Sequence, residues 1–588
     1  MVSVLNWCGR ILAAAFNGIA RFFVQIVILL VILFAIVLAM GDGLSGNMVL
    51  ALDLRETMAD SSGGEPSFLV PENVTVMNLV LALDGARRDA RVKGVTVRLG
   101  DGAVSLAQAE EIAPALAALR RAGKFVLVHA SGFNGAGLGD YVAASAADAI
   151  WMPPQGHFAP SGTAIGEVFL RGLFDKLQAL PQMAKRAEYK SAADMYMEKA
   201  MTGPDREQLT RIAQSTYDSG VAAIAAARHL DPAAVRAALD ASPQLAEDAL
   251  AAKLIDHIGY DDDVDAEALK RAGTGAKSVE MKDYIRSRTA DDSAPIAVIE
   301  ATGEIRDGKA DTSLLGSSAG IASDDLSQAI NEATKDKAIK AIVLRVDSPG
   351  GSVSASDQIL HAVKKAQAAG KKVVVSMGSV AASGGYYISL SADRIVAQPA
   401  TLTGSIGVLT GKVSVDKSLA LAGVTAENVS VGKNTLMDSP LQPYTPEQWA
   451  AVNHEVDAIY ADFTQKVAAG RKLPLAQVQD VARGRVWTGA DAKAKGLVDE
   501  LGGLWTAAAA AARLSGVDPA NSKFKIYPRH GRLFGGLRGM LGGASAALET
   551  LGQMRVLLGL PGVREVVHSA ASLPRNGAEM RAPGLDSH

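Results

Sequence analysis

Thiols are almost missing from this chain. A single cysteine, Cys8, stands among 588 residues, so neither a disulfide framework nor a zinc site built from thiolates can be assembled. The nine histidines are scattered without an HExxH pair, which leaves no basis for expecting a metal. A basic excess is also lacking. The net charge of −3 does not suit a nucleic-acid partner. No P-loop occurs, and the glycines of GFNGAGLG at 132–139 miss the G-x-G-x-x-G spacing of a dinucleotide loop. No cofactor is implied.

Charge is absent from one further place, and there the absence is informative. Phe22 to Met40, FFVQIVILLVILFAIVLAM, is 19 residues with Gln25 as its one polar member. As a helix it reaches about 28 Å, close to the hydrocarbon thickness of a bilayer. It shows no polar face, and it is longer than the apolar core of a cleaved signal peptide. Arg10 and Arg21 precede it, which orients the chain beyond about residue 46 away from the cytoplasm. Residues 1–46 are therefore read as a cytoplasmic N-terminus and retained anchor.

The remainder contains itself twice. MVLALDLRETMAD from Met48 resembles IAVIEATGEIRDG from Ile296, and VKGVTVRLGDGAVSLAQAEEI from Val92 resembles IKAIVLRVDSPGGSVSASDQI from Ile339. GKFVLVHASGFNGAGLGDYVAAS echoes KKVVVSMGSVAASGGYYIS, and PSGTAIGEV echoes LTGSIGVLT, in the same order. A tandem duplication follows, with an N-terminal repeat at 47–290, a C-terminal repeat at 291–525 and a tail at 526–588 of no evident chemistry. Continuous apolar runs such as AIVLRV and KVVVSM alternate with helical periods such as Ile359, Val363 and Ala366. That pattern predicts an α/β fold with parallel strands in each repeat. Residues 304–324, rich in Gly, Ser and Asp, read as a mobile loop. The G-x-S-x-G match at 316–320 falls inside it, without the preceding strand that a nucleophile elbow needs.

The differences between the copies carry the chemistry. Aligning DYVAASAADAI with GYYISLSADRI sets Leu138 opposite Ser383 and Gly139 opposite Gly384. GDGAVS at 100–105 stands opposite DSPGGS at 347–352. Since one copy tolerates leucine at the turn, geometry alone does not demand serine there. Ser383 is thus a candidate nucleophile. Main-chain N–H groups of the Gly350-Gly351 turn and of Gly384 can then form an oxyanion hole, and a helix beginning at Ser383 would add its positive end. No histidine suits the role of base, since His361 and His454 both sit in predicted helices. A lysine desolvated enough to be neutral is the alternative. Lys190 in RAEYKSAADMY and Lys433 in NVSVGKNTLMD align across the repeat, and each reads as opening a loop after a strand.

The anchor, the tandem halves and the motifs DSPGGSV, AASGGYY, LTGSIGV and EYKSAADMY resemble the signal peptide peptidase A (protease IV) family in its long, membrane-anchored bacterial form. That family belongs to the crotonase/Clp-protease clan. The resemblance spans roughly residues 20–520. It implies Ser383 as nucleophile, Lys190 as general base, Ser405 as the residue assisting the lysine, and Gly350, Gly351 and Gly384 around the oxyanion. It also implies remnant signal peptides and other hydrophobic peptides as substrates, a homotetramer, and a catalytic body on the periplasmic side of the inner membrane. Short relatives place serine and lysine about fifty residues apart, and Lys433 follows Ser383 by 433 − 383 = 50. Lys433 therefore competes with Lys190. Fusion of two subunits whose sites were shared favours Lys190. The alternatives are an envelope quality-control protease of the same mechanism, and a crotonase-like acyl-CoA enzyme.

Overall fold

A computed structural model describes residues 44–61, 74–287, 294–527 and 579–581, apart from short gaps at 136, 311, 314–315, 318–319 and 520–523. The Phe22–Met40 segment and Cys8 lie outside the described residues. Among those described, no helix is long and apolar enough to cross a membrane.

The duplication is drawn in the sheets. In the first half the strand order is His257–Ile258, Ala149–Met152, Phe125–Ala130, Val92–Leu99, Met48–Asp53, Lys277–Glu280, every neighbour parallel. The second half repeats it as Glu500–Leu501, Arg394–Ala397, Lys372–Ala382, Ala341–Ser348, Ile296–Thr302, Phe524–Tyr527. Helices cover both faces, so the central strands bury nearly every side chain, as Ala341 to Val346 do. Helix starts are duplicated too. Ser105 caps the helix Leu106–Arg121 and its counterpart Ser352 caps Val353–Ala368, each accepting from an N–H of the first turn. Thr202 and Thr445 cap two 26-residue helices, Gly203–Arg228 and Pro446–Arg471.

Two features break the symmetry. Lys372–Ala382 runs for 11 residues where Phe125–Ala130 has 6, and the extension pairs with Leu402–Gly404, which pairs in turn with Val486–Thr488. A separate sheet then stitches the halves together. Leu180–Arg186 of the first half lies antiparallel to Val408–Ser414 of the second over seven residue pairs. In the same sheet stand Gly350–Ser352 and, from the C-terminal tail, Glu579–Arg581.

The predicted loop at 304–324 is partly ordered into strands. Ile305–Arg306 pairs with Ile321–Ala322, and Thr312–Ser313 with Gly316–Ser317. Glycine and serine content signalled irregularity there, but backbone pairing to the Gly350–Ser352 strand supplies partners that composition does not reveal.

Candidate active site

The long strand Lys372–Ala382 delivers Ser383 in a conformation that L-residues avoid, φ 57° and ψ −114°. Such a backbone costs about 1–3 kcal/mol and persists only where neighbours impose it. Ser383 N–H donates to Gly404 O at 2.8 Å, while Ser383 O accepts from Tyr387 N at 2.9 Å. Its counterpart Leu138 sits relaxed at φ −92°, ψ −12°. The strain therefore belongs to the copy with the hydroxyl. The helix that follows, Gly384–Tyr387, is four residues long, so the expected dipole contribution at Ser383 is small.

Lys190 reaches this serine from the other half. After Leu180–Arg186 has crossed to pair with Val408–Ser414, the chain turns and buries Lys190 completely. Its Nζ lies 2.9 Å from Ser383 Oγ, 3.0 Å from Ser405 Oγ and 3.1 Å from Ser405 O. A neutral amine has two N–H bonds and one lone pair. With the N–H bonds given to the two Ser405 oxygens, the lone pair faces the Ser383 hydroxyl. Burial holds the Lys190 ammonium well below the ordinary lysine range. Lys433 is exposed, in a stretch without the strand expected before it, and its carbonyl oxygen lies 3.5 Å from Gln448 Nε2.

Gly350 and Gly351, at φ 109° and 148°, form the turn beside the serine. The Gly350 N–H donates to Ser348 Oγ at 3.2 Å. A Cβ on Gly384 would lie 2.8 Å from Ser356 Oγ, 3.1 Å from Gly350 Cα and 3.2 Å from Gly351 N. A side chain on Gly384 would thus crowd the small space it shares with the Gly350-Gly351 turn, next to Ser383. Gly384→Ala is expected to lower kcat about a hundredfold by closing that space, measured on a chromogenic peptide ester.

An extended backbone fits alongside. Glu579–Arg581 runs antiparallel to Gly350–Ser352, with Gly351 opposite Met580, and its other edge meets Leu409. The edge of Gly350–Ser352 is thus already paired with an extended backbone, that of the chain's own tail.

The model of peptidase family S49 matches residues 118–275 and again 365–518, once in each half. Protease 4 of Salmonella typhi is 34% identical over 77% of this chain and 74% of its own length. The chain belongs to peptidase family S49. A Clp protease model matches residues 320–401, a span that holds both the Gly350-Gly351 turn and Ser383. The chloroplastic serine protease SPPA of Arabidopsis thaliana is 32% identical over 75% of this chain and 66% of its own length. A putative signal peptide peptidase SppA of Enterococcus faecium is 35% identical over 29% of this chain and 49% of its own. This S49 peptidase is accordingly a serine peptidase with a Clp-protease-like α/β fold carried in two repeats, and the acyl-CoA alternative loses its support.

The first half of the S49 peptidase shows what became of the second site. Asp140, which stands where the other copy has Gly385, turns its carboxylate into the vestigial turn. It accepts from Gly100 N at 3.1 Å, Gly102 N at 2.8 Å and Val104 N at 3.0 Å. A side-chain carboxyl thus takes up the free amides of this turn. Leu138 fills the nucleophile position and packs on Gly220, where a Cβ would approach Leu138 Cδ1 to 2.6 Å. The replacement of glycine by aspartate was a visible signal, although only the folded turn gives it meaning.

Gly484, Arg483 and Arg485 left no such signal. Gly484 adopts φ 74°, and a Cβ there would lie 2.6 Å from Lys190 Cβ and 2.7 Å from Lys190 N. Arg483 and Arg485 stack on the Tyr189 ring at 5.3 and 4.6 Å, clamping the residue before the lysine. Ser405, in a left-handed conformation at φ 49°, is held by Ser405 N–H donating to Arg485 O at 2.8 Å. Ser405→Ala removes one of two acceptors for the Lys190 N–H groups. A five- to tenfold loss of kcat, roughly the worth of one hydrogen bond, is expected in steady-state kinetics.

Proposed function

We propose that this S49 peptidase is a membrane-anchored endopeptidase in which Ser383 is the nucleophile and Lys190 the general base. The observation that carries the reading is the fully buried Lys190 Nζ at 2.9 Å from Ser383 Oγ, with burial alone setting its low proton affinity. Oγ attacks the peptide carbonyl carbon as its proton passes to the Nζ lone pair. The carbonyl electron pair moves onto oxygen, where the Gly351 and Gly384 N–H groups receive it. Collapse breaks the C–N bond, and the proton on Nζ leaves with the amine. Neutral Lys190 then takes a proton from water, whose oxygen attacks the ester. The second collapse returns Oγ with its proton.

Remnant signal peptides, presented as extended strands, are the proposed substrates. Three features support this reading. The groove beside Gly350–Ser352 pairs with an extended backbone, the apolar Phe22–Met40 segment suits retention at a bilayer, and a relative bears the signal peptide peptidase name. Catalysis takes place on the periplasmic side of the inner membrane, in a homotetramer with its anchors on one face. Treating the full-length protein in detergent with a fluorophosphonate should place one adduct on Ser383 and abolish cleavage of a synthetic signal peptide. An adduct elsewhere, or cleavage that survives complete labelling, would reject the nucleophile. Cleavage of unfolded soluble proteins in preference to signal peptides would move the substrate class to envelope quality control.

A further inference from the structure

Lys190 belongs to one half and Ser383 to the other, so something must hold the two in register. The strand pairing of Leu180–Arg186 with Val408–Ser414 ends before the lysine. Beyond it, the side chain of Gln208 bridges the gap. Gln208 lies in the second turn of the helix Gly203–Arg228 and is fully buried. Its Nε2 lies 3.1 Å from Tyr189 O and 2.9 Å from Ser191 Oγ, the residues on either side of Lys190. A third oxygen, Asp205 Oδ1, lies 3.0 Å from the same nitrogen. On its other side Gln208 Oε1 accepts the N–H of Val486 at 3.3 Å.

Val486 is part of the nucleophile's own scaffold. It stands opposite Gly404, whose carbonyl oxygen receives the Ser383 N–H at 2.8 Å. The preceding residue, Arg485, accepts the Ser405 N–H at 2.8 Å. One amide side chain therefore joins the backbone around the lysine to the backbone that fixes both serines. We infer that Gln208 is a positioning residue, which sets where Lys190 Nζ stands relative to Ser383 Oγ without touching either reacting atom. The inference rests on the Ser383–Lys190 reading above.

Its physical basis is the sensitivity of proton transfer to placement. A displacement of about 1 Å in a reacting group can cost a hundredfold in rate. Without Gln208, buried Tyr189 O and Val486 N lose their shared bridge, and the lysine loop, left with the Tyr189 N–H to Arg483 O bond at 3.2 Å and the arginine stacking, loosens enough to shift and admit water. Water at Nζ restores part of the ordinary proton affinity of lysine.

The test uses the full-length protein in detergent, with active sites counted by exhaustive fluorophosphonate titration. Gln208→Met keeps length and volume but breaks every bond of the bridge. Gln208→Glu keeps the acceptor for Val486 N and sets a carboxylate against the backbone of the base. For each, kcat per titrated site is expected to fall about ten- to a hundredfold, with KM within about threefold because Gln208 is remote from the peptide groove. The acid limb of the kcat/KM profile should move to higher pH in both variants. One carboxyl titrates nearby. Glu167, whose carboxyl burial pushes up to about 8, is hydrogen-bonded to Asp205. The remaining charges around the bridge are Asp194 with Lys185, Arg483 with Glu188, and Arg485 with Glu207. Asp205 touches Gln208 itself, so each variant is also measured in a Glu167→Gln background, where a limb shift that persists belongs to Lys190 and one that vanishes overturns the assignment.

Wild-type kcat and an unmoved limb in either folded variant would overturn the assignment. So would variants that fail to fold, because Gln208 would then serve the fold and not the base. If the wild-type adduct forms on Ser383 yet proves indifferent to Lys190→Met, the base reading itself has failed, and that result is distinct from a failure of Gln208.

Discussion

Lys190→Met is expected to lower kcat/KM by about four orders of magnitude, with Lys433→Met within about twofold of the wild type. Methionine fills the buried channel but offers no lone pair to the Ser383 hydroxyl. Ser383→Ala should cost at least as much. The double variant should be no worse than either alone, since the two side chains act as one unit. The pH profile follows from the same burial. Only neutral Lys190 accepts a proton, and desolvation lowers its pKa. Activity should therefore rise with pH through that lowered value, remain high above it, and be lost as the pH falls and the amine is protonated. Stability runs with a definite sign too. Between the lowered folded pKa and the ordinary lysine value, the unfolded chain holds a proton that the folded site refuses, so folding is penalised and stability increases with pH. Lys190→Met removes that penalty and should raise the Tm at neutral pH even as it abolishes turnover. Loss of activity in Lys433→Met, with activity retained in Lys190→Met, would transfer the role of base to the second half.

Arg345→Met is expected to destabilise the protein by about 3–5 kcal/mol, the cost of leaving buried carboxylates without their cation. Arg345 stands in Ala341–Ser348, the strand that leads into the oxyanion turn, and is only 2% exposed. Its guanidinium takes Asp60 in a two-pronged pair at 2.5 and 2.8 Å and meets Glu111 at 2.8 Å, both from the first half. Nη1 also donates to Ser376 Oγ at 2.9 Å in the neighbouring strand. Close by, Asp347 accepts the Val380 N–H at 2.8 Å. Burial, with the charge of Asp60 adding to it, pushes the Asp347 carboxyl up to about 7. Without Arg345 the Asp347 carboxyl would lose the cation that opposes its rise and would stand higher still above its value in the unfolded chain. The folded variant would then bind protons that the unfolded chain does not, so the deficit should shrink as the pH falls. Denaturant melts at pH 7.5 and pH 5.5 provide the check, and equal deficits at the two values would contradict the account. Because this ion cluster joins the halves, the variant should also lose kcat before it loses its fold, as Lys190 drifts from Ser383.

The repeat, the parallel α/β layers and the candidate serine could all be read in one dimension. Strand runs, helix periods and the substitution of Leu138 for Ser383 are local or pairwise facts, and the chain supplies its own control copy. The lysine is not legible in local pattern, and only the family resemblance favours Lys190 over Lys433. Lys190 and Lys433 occupy equivalent places in the repeat, and each carries similar local sequence. The choice between them depends on the antiparallel crossing of Leu180–Arg186 to Val408–Ser414, a long-range pairing that no local period encodes. Gln208, Gly484 and Arg345 were silent for the same reason. Each matters through a partner between about eighteen and three hundred residues distant, and a glutamine in a helix or a glycine in a turn carries no mark of what it faces. Asp140 lies between these cases, because its identity is visible beside Gly385 while its work as a side-chain acceptor appears only once three amides of the vestigial turn point at it. The sequence by itself thus determined the class of chemistry and which copy holds the candidate serine. Tertiary structure decided which amine is buried against Ser383 and what holds it there, because burial and proximity are properties of the packed pair of halves and not of either one.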